Sequence, residues 1–473
     1  MRGMVVAALL VVVAAGAQCK RTNGAYCDVS RPCPSGFACD ETARECHVTT
    51  LGGNDMAVGE GGVGGCAQCG GATPICVANS CVSCLSTSDG DGACAAVSGS
   101  TPHCLAVGGG AGACVGCRDA NDCAGATPFC DATAHVCRGC IADGECPSLV
   151  CDLTPGSATH GVCVAIDKVE YADVGAATNG NGLLPTTPRQ GLQDAINHAV
   201  GADNRPYVHV AAGSYNENIG VNNKTIYLVG ATGAIIHPAN NDALGVQTGG
   251  SLTVRNLIAT AVSGNAGNCQ NGTLIAYRSQ FINSSQLGVY TSTCQLLLDA
   301  CWVHGNGAGG ISLGGSFTII NSIITKNSGA GGVAQVVTGT NMVFANNTVA
   351  DNTSATTTNA GVTCLAAGNF DPVNTILYNN KLGGGMLNET NCPGSFNASD
   401  DPSAGPQSTV DLTAKAPGFK GGTPLTPDSY HLAPTSPCRN EASPLSAPNH
   451  DFDFERRPDA TSMMPDIGAD EVQ

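Results

Sequence analysis

A short pattern of polar and apolar positions recurs through the second half of the chain. The segments NSIITKN, NNTVADN and NTILYNN begin at residues 321, 346 and 374, and each encloses apolar residues between asparagines. DACWVHG at 299 and YRSQFIN at 277 fill the same slots at a step of 22 residues. Glycine-rich stretches that end on a β-branched residue follow the copies, as in GAGGI and GAGGV. A unit of this size holds several short strands and cannot bury its apolar face alone.

Stacking of the copies solves that problem. Copies about 4.8 Å apart pair each strand with the next and align like residues in columns. The predicted inward column contains Trp302, Ile324, Val349 and Leu377. The predicted corner ladder contains Asn283, Asn327, Asn352 and Asn380, with Gly305 in the remaining place. Asn and Gly both suit a left-handed corner, and stacked amides can hydrogen-bond along the ladder. The pattern therefore predicts an all-β solenoid.

The helical periodicity is confined to one place. TPRQGLQDAINHAV, near 188–200, has Leu192, Ala195, Ile196 and Ala199 on one face and predicts a helix. Short β-type runs separated by Gly, Asn and Pro follow it. The repeat itself takes over from about residue 250.

The first part of the chain has a different organisation. Twenty-one of the 27 cysteines precede residue 164, and from Cys27 onwards they divide into five units of four. The first unit lies in residues 18–48, a Gly-rich linker covers 49–65, and the remaining repeats occupy 66–163. C-x2-C steps join the later units, so zinc is one alternative. Disulfides are the favoured one, because short exported units need covalent links and meet oxidising conditions.

The N-terminus predicts export. Residues 1–17 have Arg2, an apolar run and an A-x-A site, as in a secretory signal peptide, and are too short for a membrane span. Two alternatives exist for Cys19: it is the acceptor of a bacterial lipid anchor, or it is the second residue of the mature protein, either free or paired with another molecule. No later stretch predicts a transmembrane span. The net charge of −17 argues against a nucleic-acid partner.

Several motifs carry a resemblance to known proteins. VHVAAGSYNENI followed by KTIYLVGATGAIIHP resembles the first coils of right-handed parallel β-helix proteins, the pectate-lyase-like superfold. The ending, with SYHLAPTSPC and DIGADE, is similar to a terminal module of exported bacterial β-helix surface proteins, and small cysteine repeats also precede such domains. The resemblance implies that residues 164–400 form a right-handed parallel β-helix, with the helix near 188–200 as its N-terminal cap and a C-terminal capping module at 401–473. It also implies a place on an extracellular or bacterial outer surface, and it specifies fold more than activity.

The candidate catalytic residues come from the columns. His304, Lys326 and Asp351 are predicted to occupy equivalent places on successive coils, together with Asn379. An acid, a base and a cation on neighbouring coils would suit a polysaccharide lyase or hydrolase. The alternative is an ion pair on a solvated face, without a substrate.

The motifs of the enzymes with this fold do not transfer to the chain. Pectate lyases require clustered calcium-binding carboxylates beside a basic residue, but no two carboxylates fall in matching slots on adjacent coils. These isolated charged residues are Asp242, Asp299, Asp351, Asp371, Arg255 and Arg278. The paired aspartates of polygalacturonase-type enzymes and the residue set of the esterases cannot be placed either.

The acidic ending has two interpretations. Its carboxylates could hold Ca²⁺ through their oxygens, although their spacing matches no calcium loop. The favoured interpretation is a capping segment that covers the last coil and needs no cofactor. The residues concerned are Asp451, Asp453, Glu455, Asp459, Asp466, Asp470 and Glu471.

Spacing also predicts two disulfides in the solenoid. Cys364 and Cys392 are 28 residues apart, the step between the copies at 346 and 374, so they should stack. Cys269 and Cys294 precede strands of neighbouring coils and should also pair. Cys301 is expected to be a small core residue or to have an unknown partner, and Cys438 has no assignment.

Together these features predict a non-catalytic exported protein, with a binding, adhesive or structural role toward polysaccharides or cell-surface partners. The alternative is a divergent polysaccharide lyase or hydrolase around Lys326. Aromatic residues make up 4% of the chain, which argues against extensive stacking on sugars.

Overall fold

The computed structural model describes the greater part of the chain. The described residues are 37–40, 45–48, 69–78, 80–106, 111–199, 204–355, 360–365, 370–383, 385–401 and 408–473. The chain divides into two compact units, residues 1–115 and 116–473. The predictions for the signal peptide, Cys19 and the Gly-rich linker lie outside the described residues.

Within its described residues, the first unit contains short antiparallel hairpins and one α-helix. The helix, Gly90–Val97, begins after Asp89, whose carboxylate accepts the Gly92 N–H at 2.9 Å. A 3₁₀ turn covers Cys84–Ser86. The paired strands are Phe37–Asp40 with Glu45–Val48, Ile75–Val77 with Ser80–Val82, and His103–Cys104 with Cys114–Val115.

The cysteine units follow one pairing rule. Within a unit of four, the first cysteine bonds the third and the second bonds the fourth. The pairs are Cys84–Cys104, Cys94–Cys114, Cys117–Cys130, Cys123–Cys137, Cys140–Cys151 and Cys146–Cys163, and Cys69–Cys81 is a further second-to-fourth pair. The C-x2-C steps therefore connect one unit to the next. Cysteines in disulfides have no thiolate to offer a metal, so the pairing favours the disulfide alternative over zinc.

The second unit is built on a right-handed parallel β-helix of about eight turns. The first sheet contains Val169–Ala172, Tyr207–Val210, Thr225–Gly230, Ser251–Arg255, Thr273–Tyr277, Cys294–Asp299, Gly309–Ile320, Met342–Ala345 and Pro372–Val373. The second sheet contains Gly213–Tyr215, Ala234–Ile236, Ile258–Ala259, Gln280–Ile282, Trp302–His304, Ile323–Thr325, Thr348–Ala350, Ile376–Tyr378, Asn397–Ser399 and Ser408–Asp411.

A third sheet closes each turn. It contains Ile219–Asn222, Leu244–Gln247, Gly267–Gln270, Leu287–Ser292, Val333–Val337, Val362–Thr363 and Glu389–Thr390, and it shares Gly309–Ile320 with the first sheet. Within each of the three sheets, neighbouring strands pair in parallel and each coil stacks on the next. A small extra sheet contains Thr353–Ser354, Lys381–Leu382 and Gly385–Met386.

Further short elements flank the β-helix. The hairpin Phe129–Asp131 with Val136–Arg138 precedes it, and 3₁₀ turns cover Ala120–Asp122, Asp143–Glu145, Ile166–Lys168 and Pro427–Tyr430. The predicted helix runs over Leu192–Ala199. The four apolar residues assigned to one face of this helix are all buried against the first coils.

The register of the second sheet corrects the predicted inward column. Val303, rather than Trp302, pairs with Ile324, which pairs in turn with Val349. Trp302 pairs with Ile323 and points out of the coil, where it packs with Tyr430 in a second apolar cluster. The prediction for Trp302 was wrong by one residue because WVH offers two adjacent large apolar side chains for a single inward slot.

The corner ladder also differs by one position. The fully buried ladder consists of Asn327, Asn352 and Asn380. In this ladder each side-chain oxygen accepts a hydrogen bond from the backbone N–H of the ladder residue on the preceding coil. Asn306, rather than Asn283, continues this ladder, because the Asn306 backbone N–H donates to Asn327 Oδ1 at 3.1 Å.

The left-handed corner is the column one residue earlier. Its members are Asn283, Gly305, Lys326, Asp351 and Asn379, all with φ between 53° and 68°. A Cβ on Gly305 would lie 2.5 Å from Asn283 Oδ1, so a larger residue here would require the Asn283 side chain to move. The single asparagine corner predicted from the sequence is therefore two adjacent columns, one strained and one buried.

Cysteines of the β-helix occupy its core. The structure joins Cys269 to Cys294 and Cys364 to Cys392, the two pairs that the spacing predicted. Cys301 and Cys438 are buried free thiols, and burial raises the pKa of each to about 12. They act as small core residues, since a thiol with this pKa is protonated at neutral pH.

The C-terminal segment, residues 412–473, folds back along the flank of the β-helix. Gly468 N–H donates to Asn374 O, Ala469 N–H donates to Thr348 Oγ1, and His450 Nε2 lies 2.9 Å from Asp299 Oδ2. These contacts reach several coils. The segment was predicted to cover the last coil, and its contacts extend well beyond that coil.

Candidate functional site

One left-handed corner residue stands out by its chemistry. Strand pairing aligns the residues that follow the first-sheet strands into a column at the corner with the second sheet. All members have positive φ, and they are Asn256, Arg278, Ala300, Asn321, Asn346 and Asn374. Asparagine tolerates this conformation, whereas a long side chain has no local compensation for it. Arg278, exposed and at φ 46°, is the one charged member of this column, which makes it a candidate functional residue.

The C-terminal segment holds the side chain of Arg278 in place. Its guanidinium lies over the ring of Phe454, 4.0 Å from the ring centroid, and Nη2 donates to Asp453 O at 3.3 Å. The side chain is exposed at one edge, and the part that the C-terminal segment covers is desolvated. This desolvation, followed by the nearby charge of Arg255, lowers the pKa of Arg278, which remains charged because arginine titrates so high. Most of its five N–H donors remain available to a ligand.

Three adjoining cavities meet at Arg278, and together they form what we call the groove. A cavity of about 340 Å³ is lined by Trp302, Phe452 and Asp453, among others. A second of about 260 Å³ is lined by Tyr277 and Phe454, and a third of about 510 Å³ extends toward His209.

Two attached parts of the chain form the walls of the groove. Residues 140–163, the last cysteine unit, supply Ile141 and Leu153 on one side, and the C-terminal segment supplies Phe452 and Phe454 on the other. The last cysteine unit is tied to the β-helix by the buried Arg255, which donates to Asp143 and to Cys151 O. The site thus combines three segments that are far apart in the sequence.

The predicted catalytic residues lie at the opposite corner of the second sheet. Lys326 Nζ lies 3.8 Å from Asp351 Oδ2, and Asn379 donates to Asp351 Oδ1. His304 does not belong to this column. It pairs with Thr325, stacks on Trp302 with ring centroids 4.3 Å apart, and its pKa is lowered by burial and by Lys326. The predicted equivalence of His304 with Lys326 and Asp351 was therefore wrong by one residue.

Asp351 is engaged by the C-terminal segment. Tyr430 donates its hydroxyl hydrogen to Asp351 Oδ2 at 2.8 Å, and burial, followed by the Asp351 charge, raises the pKa of Tyr430. Lys326, Asn379 and Tyr430 thus surround the carboxylate from three sides. This arrangement resembles a structural ion-pair network more than a site open to a substrate.

Replacing Tyr430 by phenylalanine is expected to lower the free energy of unfolding by about 1–2 kcal/mol, because Asp351 loses a buried hydrogen bond to a charged group. The midpoint of urea unfolding measures the change. Tyr378→Phe is the matched control, since both rings pack against Phe419. Equal shifts in the two variants would contradict a special role for the Asp351 contact.

The acidic ending is largely internal. Asp451, Asp466 and Glu471 each accept backbone N–H groups within the C-terminal segment. Buried Arg457 lies among them, with Nε 3.6 Å from Glu471 Oε2. Burial raises the pKa of Asp451 to about 6 and that of Glu471 to about 7. These carboxylates therefore organise the fold of the segment.

The fold and the groove define a disulfide-rich parallel β-helix protein. No protein-family model matches the chain. A search of curated proteins found no match either. Among solved structures, the crystal structure of the pectate lyase Pel9A is similar at 15% identity and a TM-score of 0.35, over 64% of this chain and 96% of that chain. This likeness supports no statement about activity. Within the described residues, no helix is long and apolar enough to cross a membrane.

Proposed function

We propose that this chain is an exported protein that binds an acidic polysaccharide in the groove and does not cleave it. The observation that carries the proposal is the exposed guanidinium of Arg278, held in a strained corner where three cavities meet. Export is supported by the disulfides of the cysteine units, because such bonds persist in oxidising compartments.

The ligand class follows from the groups that line the groove. A planar guanidinium matches a carboxylate with two parallel hydrogen bonds, which lysine cannot reproduce. Half-buried Phe452 offers an apolar face near this charge, while Trp302 and Tyr277, each 7% exposed, form the apolar floor beneath it. Sugar rings stack on such faces, so a chain of sugars that bear carboxylates satisfies both features.

The lack of catalysis is inferred from how the carboxylates near the groove are used. Asp299 lies within hydrogen-bond distance of His450 and accepts from Asn321, and Asp143 pairs with Arg255. Glycoside hydrolysis needs two carboxyl groups that face one bond. Among the described residues that line the groove, no two carboxylates converge in that way.

The test is binding of polygalacturonate to the full chain, measured by calorimetry at about 0.15 M salt. Charges more than roughly 8 Å away are screened there, so the net charge of −17 does not dominate the contact. Arg278→Ala is expected to weaken the affinity at least tenfold, and Arg278→Lys to recover only part of it. Methyl-esterified polygalacturonate should bind weakly to all variants, because it lacks the carboxylates.

Arg456→Ala is the control, since Arg456 is an exposed arginine on the C-terminal segment that contacts Arg278, and it does not line the groove. It should change the affinity less than twofold. The same mixtures are assayed for new reducing ends and unsaturated products. Product formation that Lys326→Ala abolishes would replace the binding proposal with the lyase alternative. Equal affinity of wild type and Arg278→Ala would remove the groove as the binding site.

A further inference from the structure

Three potential metal ligands converge within the C-terminal segment, beside the groove. His431 Nδ1 lies 3.5 Å from Asp453 Oδ2 and 3.5 Å from Asp470 Oδ1. The three ligand atoms all lie within 4.8 Å of one another. They come from separate places in the segment: His431 follows the Pro427–Tyr430 turn, Asp453 lies in a tight turn, and Asp470 is near the chain end.

The imidazole of His431 has no hydrogen bond within the described part of the chain. Its side chain is 6% exposed, and the buried Nε2 has no partner. Nδ1 faces the two carboxylates at a separation longer than the usual 2.9–3.0 Å of an N–H···O bond. A buried polar group normally forms hydrogen bonds or binds a metal, and Nδ1, not Nε2, is the ring nitrogen placed to bind an ion between the two carboxylates.

The carboxylates are arranged so that one oxygen of Asp470 remains available. Asp470 Oδ2 accepts the Leu432 N–H at 2.7 Å, which orients the group and leaves Oδ1 directed at His431. Asp453 is 44% exposed and lines the 340 Å³ cavity, so its carboxylate closes the cluster on the solvent side. A hydrogen bond from the protein to a ligating carboxylate is typical of metal sites.

The surrounding charge favours a cation. Five carboxyl groups of this segment are buried, against one buried arginine, Arg457, among described residues 412–473, and a nearby cation would favour the charged form of those carboxyls whose pKa burial raises. The buried carboxylates are Asp451, Asp459, Asp466, Asp470 and Glu471. A divalent ion at the cluster would offset this excess at its solvent-facing edge.

We propose that His431, Asp453 and Asp470 form a binding site for a divalent transition-metal ion of the Zn²⁺ type. Zinc bonds to nitrogen and oxygen of about 2.1 Å place tetrahedral ligands about 3.4 Å apart, close to the two 3.5 Å separations. Imidazole nitrogen suits zinc and its neighbours, whereas Ca²⁺ and Mg²⁺ prefer all-oxygen sites. Three protein ligands leave a fourth position, on the side of Asp453 that lines the cavity. This proposal is independent of polysaccharide binding.

The experiment uses the full chain without a histidine tag, stripped of metal by a chelator and then titrated with Zn²⁺. We expect one ion per chain by calorimetry and by elemental analysis, and a higher melting temperature with the ion bound. Co²⁺ in place of Zn²⁺ should give the visible absorption of a four-coordinate site. Asp453→Asn and His431→Gln are each expected to weaken the affinity at least tenfold.

Asp428→Asn is the matched control, because Asp428 is an exposed carboxylate three residues from His431. It should bind zinc like the wild type. Asp453 is exposed at the surface, so Asp453→Asn tests the site even if His431→Gln fails to fold. The absence of a stoichiometric ion would overturn the proposal. Unchanged binding by Asp453→Asn, or Ca²⁺ binding with zinc ignored, would also overturn it.

Discussion

Replacing Asn352 by alanine will lower the free energy of unfolding of the β-helix by about 3–5 kcal/mol. The fully buried amide donates to Asn380 Oδ1 and Ile324 O and accepts from the backbone and side chain of Asn327. Alanine removes these bonds and leaves several partner groups buried without water, each at a cost of about 1–3 kcal/mol. The midpoint of chemical denaturation measures the loss.

Hydrogen exchange adds a local measurement to this test. The backbone amide of Asn327 loses its acceptor in the variant and should exchange much faster than in the wild type. Asn240→Ala is the control, because Asn240 is exposed, and its effect should stay within about 0.5 kcal/mol. Equal destabilisation by the two substitutions would mean that the ladder contributes little.

Replacing Arg457 by alanine will release the C-terminal segment from the flank of the β-helix. This fully buried guanidinium donates to Gly468 O and Ala469 O at 2.9 Å and lies among Asp451 and Glu471. Removal of one partner from a buried charge cluster costs about 3–5 kcal/mol. The segment should become sensitive to limited proteolysis while the coils remain resistant.

The neighbouring arginine offers a close comparison. Arg456 is exposed, and Arg456→Ala should leave the digestion pattern of the wild type unchanged. Arg457→Lys keeps the charge but cannot donate to both carbonyl oxygens in the geometry of the guanidinium, so we expect a sensitivity to proteolysis between those of the wild type and Arg457→Ala. If the β-helix and the C-terminal segment of Arg457→Ala were digested together at the same rate, the segment would not be a separate cooperative unit.

The periodic part of the fold could be predicted because each stacked coil has the same strand pairing and the same pattern of buried side chains as the next. Equivalent positions on successive coils have similar neighbours. A residue type that recurs at a fixed interval therefore indicates the burial and backbone geometry of those positions. The spacing of Cys364 and Cys392 indicated their disulfide for this reason. The errors at Trp302, Asn283 and His304 are each of one residue, because an interval does not determine which of two adjacent positions points inward.

The groove could not be predicted in the same way. Its walls come from residues near 141, 278 and 454, and no local pattern indicates that these segments meet. A signal was nevertheless available for Arg278, which occupies the slot that Asn256, Asn321 and Asn346 fill on other coils. The arginine in a column that is mostly asparagine is thus a sequence signal for this site.

The path of the C-terminal segment also limits how the gene could change length. The segment contacts Arg278, Asp299, Thr348 and Asn374, which lie on separate coils. Duplication of one 22-residue copy between them would shift later coils by about 4.8 Å and break every contact beyond the insertion. A repeat array without such a segment can gain or lose one unit and keep its other contacts. Here the contacts of the C-terminal segment with separate coils constrain the number of coils between them.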